Sequence, residues 1–300
     1  MPRRIEGVGK VVAVASGKGG VGKTTVTVNL ALALAQGGAR VGLFDADVYG
    51  PNVPLMLGVH RQQGTTAMIP IARAERKPYI QPLERFGLKM MSFGLLVGER
   101  DTVLSDPPLI GRMVTQTVRD VMWGDLDYLL IDFPPGSGEP QHSLVAAVQL
   151  DGAVVVTTPQ DLSLLDAGRS LGLFRKAGIP ILGVVENMSY LTCPHCGERI
   201  EVFHRRDRRD HSDRDWAIHD EALEVLGHIP MDVEISRAID AGHPLLQAAP
   251  TGSQAMVFRE IASRLTRRLA HGETHGETHG ETTDDLPSLE LGRPLLDEGG

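Results

Sequence analysis

Five short apolar segments constrain the fold of this chain more than any other sequence feature. They show no alternation of polar and apolar residues, which is typical of strands covered by helices on both faces. Stretches of helical length lie between them, so the sequence predicts an α/β fold with a doubly wound, mostly parallel sheet. The predicted strands are residues 11–16, 40–45, 128–133, 152–158 and 180–186, and the predicted helices are residues 23–36, 110–123, 140–150, 163–177 and 220–226.

The remaining segments divide into a predicted surface excursion, a closing helix and a tail. Residues 59–87 are rich in Gln, Arg and Pro and are expected on the surface, whereas residues 252–270 carry an apolar stripe typical of a packed helix. We therefore expect one domain over residues 1–270. The tail, residues 271–300, begins with three HGET repeats and lacks the apolar residues needed for a core, so we expect disorder. Weak metal binding by His271, His275 and His279 is the alternative.

Composition limits the partners and the compartment. The net charge is −8, of which the tail accounts for −7, so residues 1–270 carry only −1 and no basic nucleic-acid-binding face is expected. No apolar run approaches the roughly 20 residues that span a bilayer, and the N-terminus lacks the apolar stretch of a signal peptide. Two cysteines in such a chain favour metal or redox chemistry in a reducing compartment. We expect a cytoplasmic protein without membrane or nucleic-acid partners.

The segment SGKGGVGKTT, residues 16–25, indicates a nucleotide site. Gly17, Gly22, Lys23 and Thr24 match the pattern G-x-x-x-x-G-K-[ST], between a predicted strand and a predicted helix. Glycines let successive N–H groups face phosphate oxygens, Lys23 reaches the β- and γ-phosphates, and Thr24 binds Mg²⁺. A second lysine, Lys18, cannot easily bend back onto its own nucleotide, so we expect it to serve the phosphates of a neighbouring subunit.

Acidic residues follow two of the predicted strands at the sheet edge where ligands bind in open α/β folds. We predict that Asp132 lies on the Mg²⁺ side, that Asp47 positions the attacking water and that Asp45 joins the metal shell. Gly136, in the PPG turn, is expected to offer its N–H to the γ-phosphate.

Cys193 and Cys196, in CPHCG, are the only cysteines of the chain. Their spacing suits one metal ion or one edge of a cluster, whereas ligation by four thiolates requires two more. A two-fold dimer would supply them. Taken alone, CPHCG resembles a zinc-ribbon knuckle, and His195 is a further potential ligand.

The segments KGGVGKTT, LFDADVYGPNVP, LDYLLIDFPPGSGE, GVVENMSY and CPHCGERI together resemble the Mrp/ApbC/Nbp35 family, in family order from about residue 8 to 262. These proteins are deviant-Walker ATPases of the MinD and nitrogenase-iron-protein group, regarded as iron–sulfur cluster carriers or scaffolds. The segments at 104–114 and 203–216 depart from the family pattern.

The resemblance implies an ATP-hydrolysing homodimer that bridges a labile 4Fe-4S cluster through Cys193 and Cys196. It implies that Lys18 reaches the partner's nucleotide, that Asn187 contacts the base, and that a cluster donor and apo iron–sulfur proteins are the partners. The cofactors are then ATP, Mg²⁺ and the cluster. The expected catalytic residues are Lys18, Lys23, Asp47 and Asp132, and the expected nucleotide contacts are Gly17, Lys18, Gly19, Gly20, Val21, Gly22, Lys23, Thr24, Thr25, Asp45, Gly136 and Asn187.

Two other functions use the same fold. A spatial organiser of the MinD or ParA kind would combine the ATP-driven dimer with a structural zinc site at the cysteines. A reductase like the nitrogenase iron protein would need cluster ligands that are widely separated in sequence, which C-x-x-C does not provide.

Overall fold

A mixed sheet forms the centre of the computed structural model, which describes residues 1–59, 71–74, 77–95, 106–203, 215–218 and 221–271. Within these residues, the sheet has nine strands in the order β12-β13-β9-β8-β1-β7-β2-β6-β5, and only its two outermost strands are antiparallel to their neighbours. The strands are β1 (Val8–Ala15), β2 (Val41–Asp45), β3 (Ile71–Ala74), β4 (Lys77–Ile80), β5 (Leu83–Arg85), β6 (Leu88–Ser92), β7 (Leu126–Asp132), β8 (Gly152–Thr157), β9 (Ile181–Glu186), β10 (Leu191–Thr192), β11 (Arg199–Ile200), β12 (Asp215–Ile218) and β13 (Glu221–His228).

Eight α-helices connect or flank these strands within the described ranges, together with a short 3-10 helix at Phe93–Leu95. They are α1 (Lys23–Gln36), α2 (Val53–Met56), α3 (Pro107–Asp120), α4 (Glu139–Ala147), α5 (Asp161–Lys176), α6 (Val233–Asp240), α7 (Leu245–Ala248) and α8 (Ser253–His271).

Both faces of the sheet are covered, as the uninterrupted apolar strands predict. In β13, the adjacent residues Val225 and Leu226 point to opposite faces and are both buried. Val225 packs with Ala167 and Leu171 of α5, whereas Leu226 belongs to the larger core that includes Ile261 of α8. The sheet is therefore doubly wound, with α5 and α8 on opposite faces.

The five predicted strands are confirmed as β1, β2, β7, β8 and β9, and four of the five predicted helices are confirmed as α1, α3, α4 and α5. The helix predicted over residues 220–226 is wrong. Residues Glu221–His228 form β13, which pairs in parallel with β9. Glu, Ala and Leu favour helices in isolation, but burial beside β9 overrides that weak preference.

The segment predicted as a surface excursion is partly incorporated into the sheet. Three strands lie within residues 59–87: β5, which pairs with β6 at the sheet edge, and β3 and β4, which pair with each other. The sequence did not predict β6 because LKMMS contains no β-branched residue. The predicted tail lies outside the described residues from position 272 onwards.

The closing helix is confirmed as α8, which begins at Ser253 and ends at His271. Of the apolar stripe predicted at Val257, Ile261, Leu265 and Leu269, the last three are buried in the main core and Val257 is half-buried. Its neighbour Phe258, which lies outside the predicted stripe, is fully buried. None of the helices in the described part of the chain is long and apolar enough to span a membrane.

Phe258→Ala should lower the free energy of unfolding by about 3–5 kcal/mol, because it leaves a cavity where α8 packs against the core. The matched control is Met256→Ala, since Met256 lies on the same helix with its side chain exposed. Urea unfolding of both variants checks this prediction, and an equal, small effect of the two substitutions would contradict the packing of α8.

Candidate functional site

The loop between β1 and α1 borders a cleft of about 210 Å³ at the carboxyl ends of the central strands. Gly20 and Gly22 have φ angles of 81° and 79°, which residues with a Cβ rarely adopt. No side chain caps α1, so the N–H groups of its first turn remain available to an anion. Of the residues predicted from sequence, 18–25 and Asp47 line this cleft.

Gly17 has a packing role that the phosphate-loop pattern does not reveal. An added Cβ would lie 2.0 Å from the carbonyl carbon of Asp166, in the backbone of α5. Such a contact is impossible without moving the helix, so glycine is required here for the close approach of α5.

Lys23, Thr24 and Asp132 form one network at the floor of the cleft, in which Lys23 and Asp132 are buried and Thr24 is half-buried. The Lys23 Nζ lies 2.7 Å from Asp132 Oδ2, and the Thr24 hydroxyl donates to the same oxygen at 2.8 Å. The other oxygen, Oδ1, accepts a hydrogen bond from Thr27 Oγ1 at 2.7 Å. Asp132 is fully buried, so its charge depends on these three partners.

Asp45 is fully buried, and its contacts are structural. Its Oδ2 accepts hydrogen bonds from Ser92 Oγ at 2.8 Å and from the Val53 N–H at 3.2 Å, and its Oδ1 accepts one from the Asp47 N–H at 3.2 Å. The carboxylate therefore joins β6, the start of α2 and the Asp47 loop. Asp45 thus supports the loop that carries Asp47, and its place in a metal shell stays a prediction.

Burial raises the pKa of Asp45 to about 7, and repulsion from Asp132 acts in the same direction, while Lys23 opposes it. Burial also raises the pKa of Asp47, against the attraction of Lys23. Asp47 differs in position because it borders the cleft, with its Oδ1 accepting the Gly50 N–H at 3.1 Å.

Lys18 and Gly136 are both engaged within their own chain in this structure. The Lys18 Nζ donates to Gln160 Oε1 at 3.2 Å, just before α5 begins. The Gly136 N–H donates to the Ser16 carbonyl at 3.2 Å, so the turn predicted to face the γ-phosphate is bonded to the phosphate loop.

Asn187 lies directly after β9 and is buried against the same loop. Its Nδ2 donates to the Val21 carbonyl at 2.8 Å, and an added Cβ on Gly22 would lie 2.2 Å from that nitrogen. The amide that the resemblance assigns to the base is thus packed beneath the phosphate loop.

The two cysteines lie in a small antiparallel hairpin formed by β10 and β11. The Cys193 N–H donates to the Glu198 carbonyl at 2.8 Å, and the Gly197 N–H donates to the Cys193 carbonyl at 2.9 Å. The Cys196 thiol is exposed and lies 3.8 Å from Glu198 Oε2, while Cys193 is half-buried. Backbone N–H groups of Cys196 and His195 lower the pKa of the Cys193 thiol. Both thiols are accessible for ligation.

No third Cys, His, Asp or Glu joins the two thiols in a metal-binding group within the described part of the chain. His195, which lies between the two cysteines in sequence, does not form such a group with them. Within the described residues, one chain therefore supplies only two thiol ligands, fewer than a metal ion or cluster with four thiolates requires.

Sequence reasoning missed Thr27 and Ser92, the two hydroxyls that hold Asp132 and Asp45. Thr27 had a signal, because it lies three residues after Thr24 and so faces the same side of α1. Ser92 had none, since its contact depends on the parallel pairing of β2 with β6.

A glycine-rich loop before a helix, with a lysine and strand-end aspartates at one sheet edge, defines a P-loop NTPase. A family model described as "ParA: NUBPL iron-transfer P-loop NTPase" matches residues 7–266, and the chain belongs to this family.

Relatives and solved structures agree with this assignment. An "Iron-sulfur cluster carrier protein" of Deinococcus radiodurans is 43% identical over 89% of this chain and 71% of its own, and one of Pyrococcus abyssi is 41% identical over 86% of each. A nucleotide-binding protein from Archaeoglobus fulgidus, in complex with ADP, has a TM-score of 0.65 at 31% identity, covering 85% of this chain and 94% of that one. The cell division ATPase MinD of Pyrococcus furiosus has a TM-score of 0.60 at 26% identity, covering 86% and 99%.

Lys23→Ala should abolish nucleotide binding, because it removes the buried cation of the phosphate loop. It also leaves Asp132 without its ion pair, at a cost of about 3–5 kcal/mol in the free energy of unfolding. Equilibrium binding of a fluorescent ATP analogue to protein shown to be folded by circular dichroism is the measurement, with the exposed Lys176→Ala as the control. Unchanged affinity would refute the phosphate-loop assignment.

The raised pKa of Asp45 gives a pH dependence with a defined sign. The protonated carboxyl is favoured in the fold, so its contribution to the free energy of unfolding is complete below about pH 3.8 and is lost as the pH rises through about 7. In the wild type, this contribution falls by about 2–3 kcal/mol between pH 5 and pH 8. Asp45→Asn cannot ionise, so this pH dependence should be absent from the variant. Urea unfolding of both proteins across this range gives the free energy of unfolding as a function of pH. The same pH dependence in both would contradict the raised pKa of Asp45.

Proposed function

We propose that this chain is an ATP-hydrolysing carrier that holds a labile 4Fe-4S cluster across a homodimer and transfers it to apoproteins. The observation that carries the proposal is the thiol pair. Cys193 and Cys196 are the only cysteines of the chain, and they lie on an accessible hairpin. In sequence this hairpin comes shortly after Asn187, which is bonded to the phosphate loop. The names of the relatives, iron–sulfur cluster carrier and transfer proteins, support the same cargo.

The number of thiolates supports a shared cluster. Four cysteines usually ligate a 4Fe-4S cluster, and two copies related by a two-fold axis would supply Cys193 and Cys196 twice. Ligands divided between two chains are released when the interface opens, which suits a carrier better than a permanent electron-transfer centre. The partners are then a cluster donor and apo iron–sulfur proteins, in the cytoplasm.

The residues of the cleft fit ATP with Mg²⁺. Glycine N–H groups and the start of α1 receive the phosphates, and Lys23 moves from Asp132 towards the negative charge of the nucleotide. Thr24 and Asp132 present the hard oxygen ligands that Mg²⁺ prefers, and the ion supplies positive charge at the phosphates when it is bound. Asp47, in the cleft, orients the attacking water, and Lys18 leaves Gln160 to reach the partner's phosphates.

Iron, sulfide and zinc analysis after anaerobic reconstitution tests the proposal, on protein sized by light scattering. We expect about four iron and four sulfide per two chains, in keeping with one bridging cluster. Cys193→Ala should lose the cluster and retain ATP binding, whereas the control His195→Ala should retain both. Retention of a complete cluster by Cys193→Ala would refute ligation by these thiols.

The same experiment distinguishes the rival function. One zinc ion per two chains with no uptake of iron would make the cysteines a structural clasp. An ATP-driven organiser of the MinD kind, whose fold this chain shares, would then replace the carrier.

A further inference from the structure

The segment between β9 and the thiol hairpin, residues 187–190 (the connecting segment), is bonded to the phosphate loop at its first residue. Asn187 is only 6% exposed, and its Nδ2 donates to the Val21 carbonyl at 2.8 Å. Gly22 packs so tightly on that nitrogen that an added Cβ would lie 2.2 Å from it. A displacement of the loop at Val21 or Gly22 therefore either moves Asn187 or breaks this hydrogen bond.

The middle of the connecting segment is held as one piece by hydrogen bonds that continue the pairing of β9 with β13 beyond both strands. The Ser189 N–H donates to the Ile229 carbonyl at 2.9 Å, and the Met231 N–H donates to the Tyr190 carbonyl at 2.7 Å. The Ser189 hydroxyl closes the turn by donating to the Glu186 carbonyl at 2.7 Å. These bonds leave little freedom for the segment to absorb a movement locally.

The thiol hairpin is attached to the far end of the same segment. Leu191, the first residue of β10, forms a parallel bridge with Met231. Across the hairpin, the Arg199 guanidinium lies 4.1 Å from the centre of the Tyr190 ring, within cation–π range. The position of the hairpin that carries Cys193 therefore follows the position of the connecting segment.

A strained residue lies next to the loop contact. Met188 has a φ of 53°, and among the described residues only Phe86 is another non-glycine with positive φ. Residues held in this region persist where the surroundings impose the conformation, and they cluster at switch regions. The contacts of Asn187 and Ser189 on either side thus hold Met188 in this conformation, and loss of the Asn187 bond would remove one of these constraints.

We propose that Asn187 transmits the state of the phosphate loop to the thiol hairpin, so that nucleotide binding changes the accessibility of Cys193 and Cys196. Asn187 is then a positioning residue, which acts through the connecting segment on the ligands of the cargo. The inference rests on the proposed function for its purpose, since it identifies the residue through which nucleotide state would control cluster release.

A base contact and a transmission role predict different effects of the same substitution. If Asn187 only binds the base, Asn187→Ala weakens nucleotide binding, and the response of the thiols is normal once nucleotide is saturating. If Asn187 transmits the loop state, saturation does not restore the response.

The test measures thiol alkylation on reduced, metal-free full-length protein. N-ethylmaleimide labels Cys193 and Cys196 with and without saturating MgADP, and peptide mass spectrometry gives the rate at each thiol. Light scattering is used to choose a protein concentration at which the oligomeric mass is the same with and without MgADP. Equilibrium dialysis confirms that each variant is saturated with MgADP.

In the wild type we expect MgADP to change the alkylation rate by about 5-fold or more, the lower end of typical allosteric couplings. In Asn187→Ala this ratio should fall to within about two-fold of unity at full occupancy. Ser189→Ala removes the hydroxyl that closes the turn. Because Ser189 is not among the residues that line the cleft, this substitution should reduce the ratio of alkylation rates without changing nucleotide affinity. Ser263→Ala, on the exposed side of α8, is the control.

An unchanged ratio in both Asn187→Ala and Ser189→Ala overturns the proposal, as does a wild-type ratio of one. Neither result depends on a bound cluster. A chain that fails to take up iron and still shows the Asn187-dependent ratio would refute the carrier function alone. A chain that loads four iron per dimer without such a ratio would refute the transmission role alone.

Discussion

The buried contact between Lys23 and Asp132 is the interaction on which the nucleotide site depends. It joins the first residue of α1 to the last residue of β7, and Thr24 and Thr27 complete the shell of the carboxylate. A charge this deeply buried is tolerated only when it is paired and hydrogen-bonded. The ion pair therefore fixes the phosphate loop against the centre of the sheet, and every other element of the site is arranged around that junction.

Much of the fold and of this site could be predicted from the sequence because both follow from local patterns. Apolar segments without alternation specify the parallel strands, and the glycine-lysine-threonine pattern specifies where an anion can bind. Lys23, Thr24 and Asp47 lie at the cleft because each is carried by an element whose position the pattern determines. The shared strand-end edge then follows from the geometry of parallel sheets.

The remaining features depend on contacts between distant parts of the chain. The orientation of Asp45 is set by Ser92, which is 47 residues away in sequence, and Gly17 is required by the backbone of α5. The strand nature of Glu221–His228 results from burial beside β9, which outweighs the helical preference of its residues. Asn187 shows the same limitation, since no local signal indicates that its amide would support the Val21 carbonyl.

Asp47 borders the cleft, and Asp132 and Lys23 form a buried ion pair at its floor. Any ligand that binds this cleft only in the native state shifts the unfolding equilibrium towards the fold. Occupancy of the cleft thus governs how often the chain opens far enough for a protease to cleave it. Of two otherwise identical chains, the one with the empty cleft would therefore be cleaved faster.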